Sequence, residues 1–165
     1  MREAGAFPRT GLDEKATLSA FLDWYRDAVA RKVEDLDGEA ATRRLVPSYS
    51  TPLGIVKHLA YVERGWFQRR FLGSDVFRMP PSERVPFEFS IAPEETVADV
   101  LAFYAQECET SRRITEEHDL GDESVQPDSP HETLRWILVH MIEETARHTG
   151  QLDILRELID GATGE

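Results

Sequence analysis

The stretch "VHMIEETARHTGQLDILREL", residues 139–158, decides the fold because apolar residues and potential metal ligands both recur in it at helical spacing. Four residues along an α-helix advance the side-chain direction by only about 40°. His140, Glu144 and His148 therefore follow one line, and Glu144 and His148 point nearly the same way. Glu143 lies about 140° from His148 by the same arithmetic, so it cannot easily share an ion with it. The segment reads as a long helix that carries a pair of candidate ligands.

Three more helical patterns precede it. Residues 13–35 place Leu18, Phe21, Leu22, Tyr25, Val29 and Val33 on one face, with Asp13 as N-cap and Gly38 after the end. Residues 51–73 open with a Thr51 cap and Pro52, then carry Leu53, Val56, Leu59, Val62 and Trp66 on a stripe that His58 borders. Residues 93–117 repeat Val97, Val100, Leu101, Tyr104 and Cys108, which makes Cys108 a core residue. The last helix is expected to start at "SPHE", where Ser129 and Glu132 have capping-box spacing and Pro130 takes the first position, and to end at Gly161.

Between the second and third patterns lies "GSDVFRMPPSERVPFEFSIA", residues 73–92, with three prolines and no sustained period. A helix–helix connection usually needs about 2–8 residues, so this one has room for another task. Twenty extended residues reach up to about 66 Å, twice the roughly 33 Å of a helix over 51–73. The connection can therefore run the length of a bundle. The expected fold is all-α, a four-helix bundle with up-down-down-up topology and a long crossover between helices two and three, with the 165 residues forming one domain. A short strand at "FEFS" is the minor alternative.

Composition narrows the function. The net charge of −12 opposes binding to polyanions, so nucleic acid and anionic membranes are not expected partners. No apolar run approaches the roughly 20 residues of a membrane span, and the N-terminal segment lacks the apolar centre of a signal peptide, so the expected location is cytoplasmic. The basic pair Arg69–Arg70 in "FQRRF" can hold a small anion, but the favoured reading is a solvated helix end, where cations suit the dipole. Trp66, Tyr61 and Phe87 can form a substrate wall; ordinary core is the favoured reading.

A catalytic metal site needs three protein ligands and an open position. Glu144 and His148 supply two, and His58 is the best third candidate because it sits beside the core stripe of helix two. His118 and His131 fall at polar helix ends and read as solvated. The bland alternative is that His58 is a hydrogen-bonded boundary residue and Glu144 pairs with Arg147 or Arg135. No H-E-x-x-H, E-x-x-H, G-x-S-x-G, P-loop or dinucleotide fingerprint is present.

The segments "GIVKHLAYVERGWF" and "HMIEETARHTGQLDILREL" together resemble the DinB superfamily of metal-binding four-helix bundles, and most closely its subgroup related to the metal-binding domain of mycothiol-dependent maleylpyruvate isomerases. The resemblance implies that His58, Glu144 and His148, the last followed by Gly150 and Gln151, bind one divalent metal, with zinc or nickel the best suited. It further implies a thiol such as mycothiol as co-substrate, a small-molecule electrophile as its partner, and a thiol S-transferase or detoxification enzyme as the function. Homodimers occur in the family. His140 would be a residue supporting the ligands. The chain lacks the isomerase's second domain, so isomerisation itself is not expected. A metal-dependent hydrolase assisted by Glu63 or His140, and a non-catalytic metal-binding or dimerisation bundle, are the alternatives.

Overall fold

Asp13 begins the first helix, α1 (Glu14–Arg31), its side chain accepting from the Ala16 amide at 2.8 Å. The computed structural model describes residues 7–8, 11–76, 81–126 and 131–163. Over these the chain is all-α, and the only bridge of β type is an isolated antiparallel one between Glu123 and Thr133. No helix among the described residues is long and apolar enough to cross a membrane.

The elements follow the caps more closely than the apolar period. α1 stops at Arg31, short of the expected 35, and Gly38 opens a new short helix, α2 (Gly38–Thr42), because Asp37 caps it through the Ala40 amide. α3 (Pro52–Glu63) starts as read, with Thr51 accepting from the Gly54 amide at 3.1 Å. Past Glu63 the winding changes: Arg64–Phe71 is π-helical, and the Leu72 amide reaches back five residues to the Phe67 carbonyl.

The crossover is not irregular throughout. It contains α4 (Pro81–Phe89), with Pro86 inside the helix, so the "FEFS" strand does not form. α5 (Val97–Glu117) begins four residues later than expected, at a capping box between Thr96 and Asp99. α6 (Leu134–Asp160) is capped by Thr133, and the expected N-terminal Ser129 and Pro130 lie outside the described residues. Glu132 stays outside the helix and pairs with Arg70. Gly161 closes α6 at φ +78°, a conformation that favours glycine.

Cross-helix pairs give the directions. Glu14–Arg135 and Asp35–Arg156 rise together along α1 and α6. Lys57–Glu95 and Arg64–Glu107 do the same along α3 and α5. The pairs His58–His148, Trp66–His140 and Arg70–Glu132 run in opposite senses along α3 and α6. These senses are compatible with the up-down-down-up order.

The core has two apolar halves. One is built around Val29, Leu59, Val100, Tyr104 and Leu152, the other around Leu22, Phe67, Ile114, Leu138 and Met141. Between them each long helix contributes a buried polar residue: Arg26, Glu63, Ser111 and Thr145. Arg26 binds Glu63 with two hydrogen bonds, 2.8 and 2.7 Å, and Cys108 Sγ lies 3.9 Å from the same carboxylate. Cys108 is buried, as expected, and burial pushes its thiol pKa up.

α4 packs on α3 at a glycine. A Cβ at Gly54 would stand 2.6 Å from the Phe89 carbonyl oxygen and 2.8 Å from Thr51 Oγ1. Lys57 ties down the same stretch through the Ser90 carbonyl and Glu95. Helix propensity alone would make Gly→Ala stabilising by about 0.8–1.0 kcal/mol, whereas overpacking costs about 1–3 kcal/mol. Gly54→Ala should therefore destabilise the fold by about 1 kcal/mol. Gly150→Ala, whose new methyl meets nothing within 4 Å, should stabilise it by a similar amount. Urea midpoints at constant slope measure both, and equal stabilisation by the two would dismiss the close contact between α3 and α4.

Candidate metal centre

His58 on α3 and Glu144 and His148 on α6 come together as the sequence suggested. One ligand atom from each lies within 4.8 Å of the other two. Glu144 Oε1 is 3.4 Å from His148 Nε2 and 3.6 Å from His58 Nε2, and the imidazole rings meet at 5.0 Å. Two turns of α6 and the opposed direction of α3 are enough to produce this. The side chains are 11%, 16% and 10% exposed for His58, Glu144 and His148, which leaves a small opening.

The other ring nitrogens are already engaged. His58 Nδ1 lies 2.9 Å from Glu88 Oε2, and His148 Nδ1 lies 2.8 Å from Gln151 Oε1. Oxygen acceptors at Nδ1 hold the ring proton there and leave the lone pair on Nε2. Two lone pairs and a carboxylate oxygen then face one another with no donor between them. Such a convergence of acceptors calls for a cation, either a proton or a metal ion. The charge balance agrees. With a proton as that cation, hydrogen bonds donated by His148 and then His58 hold the Glu144 carboxyl far below the usual range. Burial alone would lower the His58 pKa, but its bonds to Glu144 and Glu88 outweigh burial and raise it.

The alternative partners of Glu144 have closer carboxylates elsewhere. Arg135 binds Glu14, and Arg147 is held more closely by Glu143, although it also forms a long ion pair of 3.9 Å with Glu144 Oε2, the oxygen not facing the Nε2 atoms. Glu143 thus points away from the site, as the helical arithmetic required. His140 does not support the ligands through a hydrogen bond: it stacks on Trp136 and packs against Trp66, with Glu143 3.8 Å from Nδ1. His131 is exposed, whereas His118 is half-buried, bonded to the Ile114 carbonyl and set edge-on to Phe71, and so is not solvated. Glu63 is committed to Arg26 and 1% exposed, which removes it as a general base for hydrolysis.

The supporting roles of three residues were missed from sequence. Glu88 and Phe89 belong to α4, which the prolines concealed; Glu88 bonds to His58, and Phe89 stacks on its ring at 4.3 Å and 18°. Gln151 stands one turn after His148, and that i, i+3 spacing was the available signal. Trp66, Tyr61 and Phe87, favoured as core, line a cavity of about 190 Å³ between the π-helical segment and α4, and of the three Trp66 also packs against a core cluster. The three candidate ligands do not line it; Glu88 does.

A solved structure described as a conserved protein from Enterococcus faecalis matches with a TM-score of 0.65 at 14% identity, over 92% of this chain and all of that one. At that identity the match speaks for the fold alone. No curated protein matches significantly. The family model for mycothiol-S-transferase matches residues 17–161, a span that begins in α1, includes His58, Glu144 and His148, and ends at the Gly161 cap. The chain belongs to the mycothiol-S-transferase family.

Proposed function

We propose that the chain is a metal-dependent S-transferase that joins mycothiol, or a similar low-molecular-weight thiol, to a small electrophile, with one divalent ion held by His58, Glu144 and His148. The observation that carries this reading is the convergence of Nε2, Nε2 and Oε1 on one point while both Nδ1 atoms are engaged by oxygen. Two imidazoles and one carboxylate suit zinc or nickel. Such an ion, when bound, favours the thiolate of a thiol whose free pKa is about 8.5.

The protein's own residues set up that chemistry. Glu88 and Gln151 fix the tautomers and aim the two Nε2 atoms. Phe89 holds the plane of the His58 ring, and Glu144 removes one unit of positive charge compared with a third neutral histidine. In the transfer, the thiolate sulfur forms a bond to the electrophilic carbon as the bond to the leaving group breaks, and that group departs with the electron pair.

Metal content of purified variants tests the ligand set. His58→Ala and His148→Ala should abolish stoichiometric binding, and Glu144→Gln should weaken it strongly. Glu88→Gln should cost about 10–100-fold in affinity, the range for a residue that orients a metal-binding histidine. Glu143→Gln, His131→Ala and His140→Ala should leave affinity near wild type. Wild-type metal content in both histidine variants would sink the site.

Activity is tested separately. Metal-loaded protein with mycothiol should consume a chlorinated aromatic model compound faster than thiol alone, in proportion to metal loading. Turnover of an ester without thiol would favour a hydrolase instead, and inertness of loaded protein toward both substrates would favour a binding role.

A further inference from the structure

In a chain with a net charge of −12, four arginines, Arg64, Arg69, Arg70 and Arg84, line the one cavity between the π-helical segment and α4. The winding explains how three of them get there. Arg64 and Arg69 are five residues apart, as are Gly65 and Arg70, and all four line the cavity. Along an α-helix five residues would turn the direction by about 140° and send half of the set away. Hydrogen bonding from i to i+5 stacks them on one side.

Three of the arginines are held in place by carboxylates. Glu107 grips Arg64 through two bonds, 2.7 and 3.1 Å. Glu132 lies 2.9 Å from Arg70, whose guanidinium also stacks over Trp66 at 4.3 Å. Glu88 Oε1 lies 3.3 Å from Arg84. Arg69 differs from all three: it has no carboxylate partner among the described residues, and its Nε is buried without a hydrogen bond. A guanidinium donor left buried and unsatisfied costs free energy.

We propose that this cavity is a carboxylate subsite, in which Arg69 receives the carboxylate of a small aryl carboxylate while Trp66, Tyr61 and Phe87 bound its ring. One open guanidinium matches one planar carboxylate, which it can meet with two parallel bonds. The cavity of about 190 Å³ suits a single ring with its acid group. Glu88, which lines the cavity, also bonds to His58 Nδ1 and so ties the cavity to the back of that imidazole. That the bound acid is the electrophile of the transfer rests on the S-transferase reading; that the cavity binds an acid does not.

The test uses benzoate as probe and benzamide, its uncharged analogue, as control. Both are titrated into the purified protein, as isolated and after chelation, and followed by amide chemical shifts. Benzoate should bind about tenfold or more tightly than benzamide, with shifts centred on residues 64–71 and 84–88, in both preparations. Arg69→Gln should remove that preference without changing metal content, and Arg69→Lys should keep part of it. Equal binding of the two probes, no binding of either in the millimolar range, a preference that survives Arg69→Gln, or benzoate binding that needs the metal would each overturn the subsite. Because chelated protein is included, failure of S-transfer and failure of the subsite give different results.

Discussion

The bundle is registered by one buried ion pair. Arg26 and Glu63 meet in the interior, between an apolar cluster on either side, and Asp23 takes a third guanidinium hydrogen at 2.9 Å. Apolar contacts are non-directional, so helices that present only leucine and valine to each other can slide by a turn at modest cost. A buried charge cannot slide, because losing its partner costs about 3–5 kcal/mol. The pair therefore adds little net stability over a well-packed apolar layer and a great deal of specificity. Ser111 and Thr145 continue the polar level onto α5 and α6, and Thr145 meets its hydrogen-bond need within its own helix through the Met141 carbonyl.

The candidate metal centre inherits that register. His58 stands five residues before Glu63 on α3, and Glu144 and His148 flank Thr145 on α6, so the level that aligns Glu63 also brings the imidazoles to the carboxylate. A one-turn slip of α6 would replace Glu144 with His140 opposite His58. The remaining support comes from outside the four long helices. α4 delivers Glu88 and Phe89 to the back of the His58 ring, and it comes that close because Gly54 has no side chain to hold the Phe89 carbonyl away.

What the sequence revealed follows from how local each signal is. Asp13, Thr51 and Gly161 act within one turn, and their caps are where they were read. The i, i+4 spacing of Glu144 and His148 is equally local, and only the partner helix had to be chosen, with His58 as the residue next to the apolar stripe. α4 was hidden because three prolines argue against a helix, yet Pro81 sits at its start, where no amide is needed, and Pro86 is tolerated in a helix this short. The π-helical segment had no sequence signature at all, since α and π windings use the same residues and differ only in which carbonyl each amide selects. Its consequence was therefore missed too: Arg69 and Arg70, read as a helix end, belong to a cavity wall.

Glu88 shows how closely the two halves of the proposed chemistry are joined. One of its oxygens faces His58 Nδ1 at 2.9 Å and the other faces Arg84 at 3.3 Å, so a single buried carboxylate is shared between a candidate metal ligand and the arginine cavity. Because Glu88 meets His58 at Nδ1, the ring edge opposite the Nε2 that faces Glu144, the cavity lies behind that imidazole, and Glu88 joins the two places through its charge. The arrangement also keeps the charges sorted. Glu144 and Glu88 surround the imidazoles with negative charge that favours a cation, while Glu107, Glu132 and Glu88 neutralise three of the four arginines and leave Arg69 to select an anion. The acidic surface as a whole repels polyanions, and a small monoanion, whose repulsion at a distance is screened within about 8 Å at physiological ionic strength, can still reach a cavity of this kind.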